Sequence, residues 1–484
     1  MKRLTTLAIL VLSVAACNFS TSPPSEWQQP TVVPEEQQTP ASTQPSATLA
    51  APAHPAILLT VDATSGGGTI HPLLGVNAGP LPIIRSPDHA DLTEQYHTIG
   101  VTMIRTNDLG GPLDMATMYP DQNADPHDPA SYDFAASDEV FRAILAGGFE
   151  PYLRLGDSWN VRGLTQRAPT NPENWVRAAV EVVRHYDEIS RQAGVPLRYV
   201  EIWNEPNFKQ FWDATPGEFY DLFAKTAAAL KAEFPHLMVG GPGLASSSGS
   251  LTPEGEQYTQ RFLDYLQQHN TPLDFLSWHV YASDAQTYVQ LAALYRGQLD
   301  AHGYTGAESH ITEWNTAMQG EDETDAVRNT ARGASLMTAA WIGLQEADVA
   351  VSTFYRGNET GQHGNMGLFY ADGRAKPMAL AFSLWAEMAA HPLRLSVTPT
   401  GSDDPNRLWV LAGQDEDGEV ALLIANPDDT PTSWEVSFVG NAADNATLLL
   451  HQVSDASGEI QTFTLEAPRA EIGAYTVQLV ILGW

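Results

Sequence analysis

Two glutamates stand out. Glu205 lies in the stretch Glu201-Ile202-Trp203-Asn204-Glu205-Pro206-Asn207, and Glu313 in Ile311-Thr312-Glu313-Trp314-Asn315. Each follows a short apolar run of the kind expected of a buried parallel strand, so each stands where a strand ends. Pro206 cannot donate to a strand ladder and stops the first run there. The separation, 313 − 205 = 108 residues, is three strand–helix units. Two carboxyl groups facing each other over a cleft can divide the work of cleaving a glycosidic bond. One donates a proton to the leaving oxygen and needs a raised pKa; the other must be ionised to attack the anomeric carbon. A like charge raises one pKa while hydrogen bonds lower the other. A gap of about 5–5.5 Å between the carboxyls corresponds to double displacement with retention.

The elements that must position this pair alternate along the chain. Residues 73–77, 102–106, 150–155, 198–203, 237–241, 273–279, 309–313 and 350–355 are eight short strands by their apolar runs. Helices lie between them. Asn171-Pro172 opens one, whose apolar face carries Trp175, Ala178, Ala179, Val182, Val183 and Tyr186 before Gly194 closes it. Thr215-Pro216-Gly217-Glu218 opens another with a capping-box pattern. Further helices are expected near 138–147, 253–269, 284–301, 323–345 and 377–389. Eight such units predict an α/β fold, a TIM (β/α)8 barrel over 57–391, with the fourth and seventh strands facing across its mouth. A doubly wound open sheet is the rival, but no Gly-rich dinucleotide turn follows the first strand. From 392 to 484 helical signals cease, and the strands at 407–414, 419–426, 434–439, 446–453 and 472–482 predict a small C-terminal β-sandwich.

The stretch Trp203-Asn204-Glu205-Pro206-Asn207, followed by Phe211-Trp212, resembles glycoside hydrolase family 39 of the clan A barrel hydrolases, a family that includes β-xylosidases and α-L-iduronidases. Asp274-Phe275 with Ser277, His279 and Tyr281 is similar to its sixth-strand segment, and Asp372-Gly373 with Lys376-Pro377 to the turn and helix after strand eight. The resemblance implies Glu205 as acid/base, Glu313 as nucleophile, and hydrolysis of O-glycosidic bonds. One departure is Thr106-Asn107-Asp108 after Arg105, where a His-Gly pair is expected.

Other side chains fall near the same rim. Asn204 is placed to bond a sugar 2-hydroxyl; the bland alternative is a strand-end bond to backbone. Arg105, ending strand two, either holds Glu313 ionised or belongs to a structural ion pair. His279 and Tyr281 can each reach Glu313 or a sugar hydroxyl, or pack as rim residues. Trp314, Tyr355 and Trp385 are either a stacking platform or core, and Phe211 and Trp212 either cleft wall or packing. The loops 109–136 and 156–170 are expected to shape the subsites.

No zinc motif is present, and the acidic cluster Glu321-Asp322-Glu323-Asp325 lacks the spacing of a calcium loop, so no metal or cofactor is expected. With 25 Lys and Arg against 58 Asp and Glu, the net charge of −33 disfavours nucleic acid as a partner and leaves a carbohydrate substrate. Lys2-Arg3, the apolar run 4–14 and Ala15-Ala16-Cys17 form a signal-peptide pattern over 1–17. It resembles a bacterial lipobox, which implies lipidation at Cys17, membrane contact through that lipid alone and an extracytoplasmic location. Residues 18–56, rich in Pro, Thr, Ser and Gln, have the composition of a disordered tether. Two further readings stay open: a non-catalytic carbohydrate-binding lipoprotein, and a transglycosylase that remodels a surface polysaccharide.

Overall fold

The computed structural model describes residues 47–48, 56–83, 87–158, 168–316, 327–359, 366–404, 406–440 and 447–483. The Cys17 pattern, nearly all of the tether, the 321–325 acidic cluster and most of the 156–170 loop lie outside them.

Eight parallel strands close into a barrel. In chain order they are β3 (Gly75–Asn77), β4 (Met103–Arg105), β5 (Glu150–Leu155), β6 (Tyr199–Ile202), β7 (Met238–Ser246), β8 (Phe275–Tyr281), β9 (Glu308–Asn315) and β10 (Val351–Phe354), which pairs back with β3. All eight overlap the apolar runs of the sequence. The helix Pro172–Ala193 starts where the cap chemistry predicts: Asn171 accepts the amide of Asn174, and Gly194 ends it in the left-handed region. Thr215 and Glu218 form the reciprocal capping box of Pro216–Glu233.

The barrel interior is filled in layers. Met103, Tyr152, Tyr199, Phe275 and Val351 plug the floor. Above them Arg105, from β4, reaches Glu201 of β6 at 2.7 Å, and Glu201 accepts Thr312 Oγ1 of β9 at 2.8 Å. All three are buried. The fully buried Arg105–Glu201 pair ties β4 to β6 past the intervening β5, and removing either partner would strand a charge at a cost of about 3–5 kcal/mol.

The second sheet holds β1 (Ala47–Thr48), β2 (Ala56–Thr69), β11 (Leu393–Thr400), β12 (Trp409–Gln414), β13 (Val420–Asn426), β14 (Thr432–Val439), β15 (Thr447–Val453), β16 (Gln461–Leu465), β17 (Arg469–Ile472) and β18 (Thr476–Gly483). It folds over a core of its own, where Leu59, Trp434 and Ile472 meet Leu422, Leu450 and Leu482. Trp434 Nε1 donates to Gln478 Oε1 across it at 2.7 Å. Two boundaries differ from the sequence reading. Residues 56–69 belong not to the barrel but to this sheet, where β2 pairs antiparallel with β11 and parallel with β14. Ala47–Thr48, within the expected tether, pairs with β16. Strand β13 is buried along its whole length because its two faces serve two cores. Leu422 and Ile424 face the sheet's own core, while Ala421 and Leu423 join the large core of the barrel and its helices.

Candidate active site

Strand β6 ends at Ile202, and the next three residues turn sharply. Trp203 and Glu205 both adopt positive φ, 79° and 51°, with Asn204 between them. Non-glycine residues avoid this region at a cost of about 1–3 kcal/mol each, and such strain concentrates at functional sites. Packing and hydrogen bonds hold it here. Trp203 packs outward on Trp175, Trp212 and Phe219, and its Nε1 donates to the Phe211 carbonyl at 2.9 Å. The Glu205 amide donates to Gly243 O at 2.9 Å. Glu205 is thereby turned toward the mouth.

Glu313 arrives by a different device. The pairing of β9 with β8 slips between Trp278–Ile311 and His279–Glu313. The bulge at Thr312 lets two consecutive residues reach the lumen, Thr312 to Glu201 and Glu313 to Arg105. Both carboxyls line one cavity of about 440 Å³, with side chains 13 % and 10 % exposed. An oxygen of each and a nitrogen of His279 lie within 4.8 Å of one another.

The two carboxyls have unequal company. Glu313 receives three donors: Tyr281 OH at 2.6 Å on Oε1, and Asn107 Nδ2 at 3.2 Å and Arg105 Nη1 at 3.3 Å on Oε2. Glu205 has one side-chain partner among the described hydrogen bonds, His279 Nδ1 at 2.9 Å from Oε1. Burial pushes the Glu205 carboxyl well above the usual carboxylate range, and the charge of Glu313 adds to the rise. Burial also raises Glu313, to about 7, but Arg105 and the Tyr281 hydroxyl oppose it. Glu313 is therefore the first of the two to ionise, and Glu205 the one that keeps a proton.

His279 is buried, and burial with the nearby Arg105 charge holds its pKa well below the usual imidazole range. It is neutral. Its Nε2 is buried with no hydrogen-bond partner. A bare lone pair there costs less than an unsatisfied N–H, so the proton sits on Nδ1 and is donated to Glu205 Oε1. That leaves Glu205 Oε2 to carry the acidic proton. Gly243, at φ 63°, makes room: a Cβ there would come within 2.9 Å of His279 Nε2.

The remaining sequence candidates divide. The Asn204 amide oxygen accepts Arg105 Nη2 at 2.7 Å, which fixes its orientation and leaves the amide nitrogen as the donor for the cavity. Arg105 is fully buried beneath the cavity, where it holds Glu201, Asn77, Asn204 and Glu313 and does not meet a ligand directly. Tyr355 lines the cavity and donates to Asp108 Oδ2 at 2.7 Å. Trp314 is not at the site. Past the bulge Glu313 takes the lumen side, so Trp314 points into the helices against Tyr288, Trp341 and Phe354, with Nε1 donating to Ser352 Oγ. Trp385 is also core, stacked on Trp341. Phe211 lines the cavity, whereas Trp212 is packed behind Trp203. Trp314→Ala is thus expected to destabilise the fold by about 3–5 kcal/mol in urea unfolding, with KM unchanged in the protein that remains folded.

Sequence reasoning assigned no role to Asn107, Asp108, Glu201 or Phe208. Asn107 and Asp108 were visible only as the departure after Arg105. Glu201 could have been found by strand parity from Tyr199, two residues earlier, which faces the barrel interior.

Residues 67–307 match the family model described as Glycosyl hydrolases family 39. The match takes in the barrel strands β3 to β8. The family 39 match ends just before β9, so the placement of Glu313 rests on the geometry above. A β-xylosidase of Geobacillus stearothermophilus is 26 % identical over 340 residues, covering 62 % of this chain and 64 % of the relative. One of Caldicellulosiruptor saccharolyticus is 25 % identical over 332 residues, covering 61 % and 64 %. The matched region thus spans less than two thirds of either relative. Among solved structures, a glucosidase of Croceicoccus marinus superposes with a TM-score of 0.72 at 23 % identity, over 89 % of this chain and 99 % of that one. A monomeric β-xylosidase of Caulobacter crescentus gives 0.66 at 19 %, over 88 % and 99 %. These structures share the barrel and strand-rich domain.

Proposed function

We propose that the chain is a retaining glycoside hydrolase in which Glu313 is the nucleophile and Glu205 the acid/base. The observation that carries this reading is the asymmetry of the pair: three donors on Glu313, and on Glu205 one neutral imidazole and a nearby like charge. Ionised Glu313 attacks the anomeric carbon as Glu205 Oε2 protonates the departing oxygen. Glu205, now a carboxylate, then takes a proton from the water that releases the glycosyl-enzyme. The Asn204 amide nitrogen donates to the 2-hydroxyl.

The cavity lining among the described residues offers Asp108, Glu205 and Glu313 and no Lys or Arg, which favours a neutral sugar over a uronic acid. The two β-xylosidase relatives make a β-xyloside the first candidate. Proton NMR of a reaction on a panel of aryl glycosides tests both points. The first-formed product should share the substrate's anomeric configuration, with β-xyloside turned over fastest. Inversion would overturn the mechanism.

We propose further that Cys17 is lipidated and the enzyme is anchored outside the cytoplasm. The basic, apolar and small-residue segments ahead of Cys17 support this. Cys17→Ser should release the protein from the membrane fraction of a bacterial host; unchanged fractionation of that variant would count against lipidation.

A further inference from the structure

The cavity has two sectors. Around Glu313 it is polar: Asn107, Asp108, Tyr281 and Tyr355 project from β4, β8 and β10. Beyond Glu205 it changes character, with Asn207, Phe208 and Phe211 from the β6 loop facing Ala245, Ser246 and Ser247 at the end of β7. Four large apolar side chains are exposed among the described residues. Of these Phe208, at 46 %, is the one that is aromatic and the one that borders the cavity. An aromatic ring in this position offers the cavity a large flat apolar face on which a second ring can stack.

Its segment is held in place. The Phe208 amide donates to Glu205 O, and the Phe211 and Trp212 amides donate to Phe208 O. Asn207 exchanges two hydrogen bonds with the Ala245 backbone, at 2.7 and 3.0 Å. The Phe208 ring lies 6.3 Å from that of Phe211. Glu205 must reach the glycosidic oxygen, so the leaving group departs over its side of the cavity, which is the sector that carries Phe208 and Phe211.

We propose that Phe208, with Phe211 beneath it, is a specificity-determining platform for the ring of the leaving group, so that the enzyme selects aglycones with a stackable face, a second sugar or an aryl group. This rests on the glycosidase reading. The same surface receives the ring of an acceptor alcohol when the glycosyl-enzyme is intercepted.

Three probes separate stacking from other roles, here as β-xylosides in the first instance. Xylobiose needs both a ring contact and acid assistance. Dinitrophenyl xyloside offers a ring but needs no acid. Xylosyl fluoride has neither. In Phe208→Ala, kcat/KM should fall about five- to tenfold for xylobiose and the dinitrophenyl glycoside, stay within about twofold for the fluoride, and return in Phe208→Trp. Loss on xylobiose alone would mean that Phe208 acts through Glu205, and equal loss on all three, or none, would also overturn the proposal. Wild-type turnover of none of the three, nor of the other glycosides of the panel, would overturn the glycosidase reading itself.

Discussion

Glu313→Ala should lower kcat on aryl glycosides by at least about 10⁴-fold, with the fold intact. The loss is chemical, because Arg105 does not become an unpaired buried charge. Glu201 stays 2.7 Å away, and Asn77 and Asn204 keep their bonds to the guanidinium. Thermal unfolding of the variant should therefore stay close to wild type. The emptied space beside Arg105 and Asn107 admits a small anion. Added azide should restore turnover and yield a glycosyl azide of configuration opposite to the substrate. Wild-type activity without azide would remove Glu313 from the mechanism.

How much of this was legible before the structure depends on which signals are local. The barrel strands are buried on both faces, so each announces itself as an apolar run. Pro206 and the end of the 309–313 run place Glu205 and Glu313 at the rim without knowledge of their neighbours. Trp314 stayed open between platform and core because its side of the strand is set by the bulge at Thr312, which appears only in the pairing of β8 with β9. Residues 57–69 were assigned to the barrel for a similar reason: the partners of β2, β11 and β14, lie more than 300 residues away, and nothing within 56–69 names them. His279 and Tyr281 were each expected to reach Glu313 or a sugar hydroxyl; Tyr281 does reach Glu313, but the hydrogen bond of His279 goes to Glu205. That choice follows from three-dimensional register, which puts the hydroxyl of Tyr281 on Glu313 and the Nδ1 of His279 on Glu205. Asn107 illustrates the limit most sharply: two positions past β4, it completes the donor set that keeps Glu313 ionisable, and no motif in the sequence ties it to Glu313.

Glu205→Gln should produce a split that no structural defect imitates. For leaving groups that need a proton, kcat/KM should fall about 10²- to 10⁴-fold. Dinitrophenyl glycosides should keep near wild-type kcat/KM while kcat falls, because release of the glycosyl-enzyme still lacks its base. The pH profile gives the sign. In wild type, activity requires Glu313 ionised and Glu205 protonated, so it is lost on the acid side through the first proton of the pair and on the alkaline side through the second. Both carboxyls are pushed up from ordinary values near 4.5, so the optimum lies above the usual carboxylate range. The variant should lose the alkaline limb and keep the acid one. Stability moves in the opposite sense to activity. Because the folded state keeps the Glu205 proton that the unfolded chain releases near pH 4.5, wild-type stability declines as pH rises from there through the folded value. Glutamine carries no such liability, so at pH 8 the variant should be more stable than wild type by about 0.5–2 kcal/mol. An alkaline limb that persists in Glu205→Gln, or a variant less stable than wild type at pH 8, would mean that another group supplies the proton and that Glu205 is ionised in the resting site.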